Sequence, residues 1–353
     1  MDSSAKPFSV YKIAAAYIGT VVGAGFASGQ EVLRFFAAYG LSGIWGILVS
    51  SALFFFIGYT ALLLGKKLHA ASHMPVVRHT NGYLLGTAID MIITLFLFGG
   101  LCTMLAGSGA VFREQFSLPA IVGVLFMMAV SLITVLTGTR GVVTAISYVV
   151  PFLIIALLYI FVRNLLLNPV TESEIAAAAT LPGSTPHWLL SAVNYASYNI
   201  VISVGVLAPM GAATPDKRTL LGGALLGAGG LAFGMLTIYF CLLTNIMEVG
   251  TLEVPMAAVA QQISAAMRIA FALVLLSEVY STAVGNLFAF TQRLNIKAPR
   301  WLVIAVTCGL ALLVAQLGFS NMVRYLYPAV GYGGMLFFGG VAYTWIRKRD
   351  SLR

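Results

Sequence analysis

The chain has 353 residues, 60% of them hydrophobic and only 9% charged. An ordinary soluble domain carries about 25% charge, so a soluble globule is excluded: it could not bury this much apolar surface behind so few charges. The same composition excludes disorder and collagen, and the three cysteines (Cys102, Cys241, Cys308) all lie in apolar runs, which argues against a disulfide framework or zinc site.

A transmembrane helix needs about 20 mostly apolar residues. In chain order, ten stretches meet that need: 9–38, 43–65, 84–112, 118–137, 142–165, 187–212, 218–246, 266–292, 301–318 and 324–346. No period-two alternation runs through them, so barrel strands are excluded. The first is long, carries Gln30 and Glu31 and leads into further membrane sequence, unlike a cleavable signal peptide. Residues 253–265 are too short and polar to span and predict a surface helix before the eighth span.

The net charge of +9 reads as topology. With the N-terminus in the cytoplasm, Lys6, Lys12, Lys66, Lys67, Arg78, Arg140, Lys217, Arg218, Arg293, Lys297, Arg300, Arg347, Lys348, Arg349 and Arg353 fall inside, 15 of the 20 basic residues. The positive-inside rule then predicts a plasma-membrane protein with both termini cytoplasmic. These residues are scattered over several loop ends, so a nucleic-acid partner is not expected.

Two spans are unlike plain helices. The first reads Ile18-Gly19-Thr20-Val21-Val22-Gly23-Ala24-Gly25-Phe26-Ala27-Ser28-Gly29-Gln30-Glu31. Such a glycine run weakens a mid-membrane helix. An unwound segment there frees carbonyls for a cation and amides for an anionic group. The competing reading is packing, since Gly19…Gly23 and Gly25…Gly29 are small-xxx-small pairs, but packing needs no Ser28, Gln30 or Glu31. The sixth span is polar at its centre, with Asn194, Tyr195, Ser197, Tyr198 and Asn199 followed by Ser203, Gly205 and Pro209, and is also expected to be broken. Polar or broken spans at matching places in two halves mark a transporter site. Spans one and six are five apart, so one transmembrane domain of two inverted repeats, about 9–165 and 187–346, is expected.

Span eight holds Ser277-Glu278-Val279-Tyr280-Ser281-Thr282. Glu278, Ser281 and Thr282 share one helix face. Adjacent hydroxyls suit a hard cation, and a carboxyl at mid-depth is functional by default. The alternative is a protonated Glu278 bonded to a neighbouring helix. Asp90 is a candidate relay or gate partner for Lys12 or Arg140, with an interfacial charge as the alternative. Arg34, one turn after Glu31, is a gate candidate or the local ion-pair partner of Glu31. His69, His73 and His79 lie in or beside a basic loop and make a poor metal site.

The segment Gly19-Thr20-Val21-Val22-Gly23-Ala24-Gly25 resembles the first unwound span of the sodium-coupled LeuT-type symporters. The resemblance implies a sodium ion held by the carbonyls of Gly19 and Val22 together with the carbonyl of Glu278 and the hydroxyls of Ser281 and Thr282. Across the whole chain the span order resembles the YkvI-type bacterial membrane proteins of the amino acid–polyamine–organocation superfamily. After Gly25 the chain departs from the amino-acid symporters, reading Phe-Ala-Ser-Gly-Gln-Glu.

The expectation is therefore an all-α integral membrane protein of ten helices with a LeuT-type 5+5 inverted repeat. It would carry a small amino-acid or amine-like solute with Na⁺ by alternating access. Gly23, Gly25, Ser28, Gly29 and Gln30 would contact the solute with the polar residues of span six, while Glu31, Arg34, Asp90 and Glu278 would couple or gate. A proton-coupled carrier of the same fold and a non-transporting ligand receptor or channel-like sensor are the alternatives. No Ser, His and Asp gather into a catalytic pattern, so no enzyme is expected.

Overall fold

A computed structural model describes residues 8–137, 149–294 and 296–347. Every regular element among them is helical. The first apolar stretch is divided into α1 (Val10–Val21), α2 (Ala24–Ala27) and α3 (Gln30–Phe35). Then follow α4 (Ser42–Lys67), α5 (His73–Phe116), α6 (Ala120–Leu136), α7 (Val149–Leu167) and the short α8 (Glu172–Ala178). The second half comprises α9 (Trp188–Ala212), α10 (Lys217–Leu243), α11 (Ile246–Val249), α12 (Pro255–Ile263), α13 (Ala265–Arg293) and α14 (Arg300–Ala315). Last come α15 (Phe319–Asn321), a π-helical turn Met322–Leu326 and α16 (Tyr327–Arg347).

Five helices, α4, α5, α9, α10 and α13, are long and apolar enough to cross a membrane, and α14 with the helix after it forms a pair bent by 93°. α1, α6 and α7 are shorter apolar helices. Large apolar side chains on their outer faces are exposed, among them Leu95, Ile133, Ile155, Leu225 and Leu313. Such a belt is stable in lipid and not in water, so the chain is an integral membrane protein.

Three expectations are corrected. The sixth stretch is one continuous helix, α9, with Pro209 inside it and no break. Helix α12 is packed more deeply than the surface helix expected: Met256, Ala257, Val259 and Ala260 are buried, and Gln261 and Gln262 at its end are exposed. The charged sequence before the third span is itself helical, and α5 joins it to the span through a kink at Gly82, where φ is 75°. The start expected for the fifth span, and Lys6, Arg140, Lys348, Arg349 and Arg353, lie outside the described residues.

Close backbone approach positions the first span. On α10, Gly223, Gly227, Gly230 and Gly234 lie on one face, and a Cβ at each would press on Ile13, Tyr17, Ile18 and Phe26 in turn. α4 and α9 cross backbone to backbone, Gly65 against Ala208 and Gly211 against Leu62. Hydrophobic driving force between helices is absent in lipid, so small residues and interhelical hydrogen bonds carry the packing. Ser50 Oγ donates to Ala192 O at 2.9 Å, and Tyr17 OH donates to Phe54 O at 2.7 Å. At the mouth of α10 the Asp216 carboxylate caps the helix, accepting from the Thr219 hydroxyl and from the amides of Thr219 and Arg218. Those bonds hold its carboxyl below the usual range.

Candidate functional site

The break in the first span is built by Val22 and Gly23. Val22 caps α1 with ψ 102°, and Gly23 is fully extended at φ −127° and ψ −172° before α2 resumes the helix. The carbonyls of Gly19, Thr20, Val21 and Val22 consequently accept no main-chain hydrogen bond among the described residues. Unpaired main-chain groups at membrane depth are tolerated only where they line a cavity or meet a ligand.

A cavity of about 100 Å³ lies against this break. Its walls come from residues 19–25 and Glu31 of the first span, Phe96, Gly100 and Met104 of α5, Tyr198, Asn199 and Ile202 of α9, Thr282 and Asn286 of α13, and Tyr327 of α16. Among the described residues Glu31 is its one charged lining residue, and the Tyr198 hydroxyl donates to Glu31 Oε2. Thr20 Oγ1 and Ser203 Oγ lie 2.8 Å apart and join α1 to α9 at the cavity's edge.

Of the residues expected to bind sodium, Gly19, Val22 and Thr282 line this cavity, with Thr282 packed on Gly23. Ser281 is buried beside Thr282, and its hydroxyl donates to Glu278 O at 3.0 Å. The Glu278 side chain is 3% exposed, and its Oε2 has no hydrogen-bond partner.

Of the residues expected at the solute, Gly23, Gly25, Tyr198 and Asn199 line the cavity. Asn194 and Ser197 turn to α16, donating to Pro328 O at 2.9 Å and to Gly331 O at 2.8 Å. Tyr195 packs edge-on against Phe36 and Tyr198. Ser28, Gly29 and Gln30 form a second interruption, where Gly29 adopts φ 83°. There Ser28 Oγ donates to Gly25 O at 3.1 Å and accepts from Gln30 N at 3.3 Å.

Glu31, Arg34 and Asp90 meet partners that differ from Arg34, Glu31 and Lys12, the ones weighed for them; Arg140, the other candidate for Asp90, lies outside the described residues. Glu31 bonds Tyr198 and makes no ion pair with Arg34. The buried Arg34 guanidinium instead donates to Pro182 O at 3.3 Å and Ser320 Oγ at 3.2 Å. Gln30 Nε2 donates to the same Ser320 hydroxyl at 2.7 Å. Asp90 meets neither Lys12 nor, among the described residues, another lysine: Arg293 donates to it at 2.7 Å and His73 Nε2 lies 2.8 Å away. Arg293 also donates to Thr94 at 3.0 Å, so this cluster fastens the end of α13 to α5.

The sequence reading missed Thr20, Phe96, Gly100, Met104, Ile202, Asn286 and Tyr327. Asn286 was legible, because it lies one turn after Thr282 on the same helix face. Phe96 and Tyr327 carry no local signal, since only the packing of α5 and α16 brings them to the break.

No family model matches the chain. It is 30% identical over 347 residues to the membrane protein YkvI of Bacillus subtilis (strain 168), with 98% of each chain covered. The chain belongs to the YkvI family. A further relative of this YkvI-family chain, the Bacillus subtilis (strain 168) protein YyaD, is 27% identical over 320 residues, covering 89% of this chain and 90% of that one. Among solved structures, a Na⁺-coupled sialic acid symporter superposes with a TM-score of 0.63 at 13% identity, covering 95% of this chain and 79% of the symporter. The inward-facing conformation of Mhp1 gives 0.60 at 14% identity, covering 100% and 83%. A manganese transporter from Eremococcus coleocola gives 0.58 at 12% identity, covering 92% and 76%. The YkvI-family chain thus has the LeuT fold that these transporters share.

Proposed function

We propose that this YkvI-family protein is a ten-span secondary transporter of a small organic solute, coupled to sodium and working by alternating access. The observation that carries the reading is the cavity at the break of the first span, lined by Thr282 of α13 and by four residues whose carbonyls have no main-chain partner among the described residues. A broken span whose freed backbone lines a cavity between two halves of a bundle is the arrangement secondary transporters use for solute and ion. Its 5+5 inverted repeat would divide the chain as 9–165 and 187–346.

Sodium would be held by the carbonyls of Gly19, Val22 and Glu278 and the hydroxyls of Ser281 and Thr282. All five are oxygen donors, which suits a hard cation. The solute would sit beside it against Gly23, Gly25, Glu31, Tyr198 and Asn199. The Asp90–Arg293 pair, lying at the far end of α13 from Ser264, would serve as one gate contact and Arg34 with Ser320 as another.

The test is uptake into proteoliposomes from a pool of labelled small metabolites, with sodium or potassium outside. Ser281→Ala with Thr282→Ala removes two of the five oxygens and is expected to abolish the sodium stimulation while the helix folds, since Ala is a good helix former. A sodium response unchanged in the double variant would remove the site. One observation supports a second reading: Glu278 Oε2 is buried with no partner, as a carboxyl that carries a proton would be. In a proton-coupled carrier, uptake would follow a pH gradient and ignore sodium.

A further inference from the structure

The walls of the cavity at the break are unequal in charge. Among the described residues, Glu31 is the one carboxyl on them, and no lysine, arginine or histidine lines the cavity. Arg34 is the nearest basic residue in sequence, but its two terminal nitrogens donate to Pro182 O and Ser320 Oγ. The Glu31 carboxylate leans on the broken turn itself: its Oε1 occupies the space that a Cβ on Gly25 would fill. Any residue larger than glycine at position 25 would displace it. The Tyr198 hydroxyl occupies one lone pair of Oε2.

Around that carboxylate three rings meet. Tyr198 and Tyr327 have centroids 5.1 Å apart, Phe96 and Tyr327 5.6 Å, and Phe96 and Tyr198 6.0 Å. All three line the cavity. Aromatic faces attract a cation, most strongly where it is desolvated. The carbonyls of residues 19–22 add further negative partial charge. A buried carboxylate with no cation beside it is costly, and a second anion placed beside it would meet the repulsion of a like charge.

We propose that this cavity takes a small organic monocation, its positive charge seated between the Glu31 carboxylate and the rings of Phe96, Tyr198 and Tyr327. Glu31 is then the residue that reads the substrate's charge, in place of a gate. The inference rests on the transport reading above for the identification of this cavity as the solute site.

The test uses the purified full chain in detergent at fixed sodium, with binding followed by calorimetry. The probes are n-propylammonium and tetramethylammonium as cations, n-propanol as the neutral control and propionate as the anion. Both cations are expected to bind. Propanol and propionate are expected to bind at least about tenfold more weakly, a difference of about 1.4 kcal/mol. Glu31→Gln is expected to weaken cation binding at least about tenfold, and Glu31→Asp, which keeps the charge, to weaken it less. A monodisperse elution profile and a melting temperature within a few degrees of the parent establish that each variant is folded. Propionate binding as tightly as the cations, or cation binding unchanged in a folded Glu31→Gln, overturns the proposal. So does a variant that loses only sodium affinity while neither organic cation binds the parent. Uptake of labelled n-propylammonium into liposomes separates the two readings. Glu31-dependent binding without uptake would refute transport and leave the cation site standing. Uptake indifferent to Glu31→Gln would do the reverse.

Discussion

The glycines of the first span perform different jobs, and the structure separates them residue by residue. Gly29 holds φ at 83°, and a Cβ there would meet Met256 Cγ at 2.7 Å. A left-handed conformation costs an L-residue about 1–2 kcal/mol before any clash is counted. Gly29→Ala is therefore expected to lower the melting temperature of the purified protein. Gly19 sits near the end of α1, where an added methyl would have nothing within 4 Å, and the residue lines the cavity. Ala is the better helix former by about 1 kcal/mol, so Gly19→Ala is expected to leave melting unchanged or slightly raised. The same methyl enters the cavity, and uptake should fall. If Gly19→Ala melts as low as Gly29→Ala, Gly19 is a packing glycine and the case for an open site at the break weakens.

At the scale of the element, the packing of α1 on α10 makes the break a fixed feature. The α10 glycines give Ile13, Tyr17, Ile18 and Phe26 their seats, so the pieces on either side of Gly23 are held by one continuous neighbour. Gly227→Val would drive a side chain into Tyr17 Cδ1, which a Cβ alone approaches to 2.7 Å. Overpacking of this kind costs about 1–3 kcal/mol. Gly229, two residues on, has nothing within 4 Å, so Gly229→Ala is the matched control and is expected to be neutral or mildly stabilising. Melting curves of the two variants check the pair, and equal destabilisation would remove the seat.

The same scale shows what was legible in the sequence. The break in the first span was readable because glycine weakens a helix locally. A glycine run alone does not decide it: α10 carries Gly222, Gly223, Gly227, Gly229, Gly230 and Gly234 and stays one helix, several of them packed against α1. The break expected in the sixth span came from polarity, and polarity is not local. Asn194 and Ser197 spend their hydrogen bonds on carbonyls of α16, at Pro328 and Gly331, and a buried amide satisfied by the next helix leaves its own helix intact. Arg34 and Asp90 were readable as buried or half-buried charges, but their partners, Ser320 and Arg293, lie 286 and 203 residues away. Only the folded bundle brings such partners together. Tyr327 and Phe96 went unnoticed for the same reason, since an aromatic residue in a membrane helix is ordinary until the cavity beside it is known.

Over the whole molecule, the helix order fixes an alternation that can be tested without knowing the solute. α9 separates Glu172 from Lys217, α10 separates Lys217 from Met247, and α13, with the buried α12 before it, separates Met247 from Lys297. If each of α9, α10 and α13 crosses the bilayer once, these four positions alternate between its faces. All four are exposed, and the native Cys102, Cys241 and Cys308 are buried, so single introduced cysteines report against a quiet background. The basic residues cluster around Lys217 and Lys297, while the loops around Glu172 and Met247 are acidic. Basic loops stay in the cytoplasm. In intact cells, Glu172→Cys and Met247→Cys are expected to react with a membrane-impermeant maleimide, and Lys217→Cys and Lys297→Cys only after the cells are opened. The reverse pattern would keep the fold and invert the orientation. Labelling of Lys217→Cys together with Met247→Cys in intact cells would mean that α10 does not cross, and the ten-span reading would fail with it.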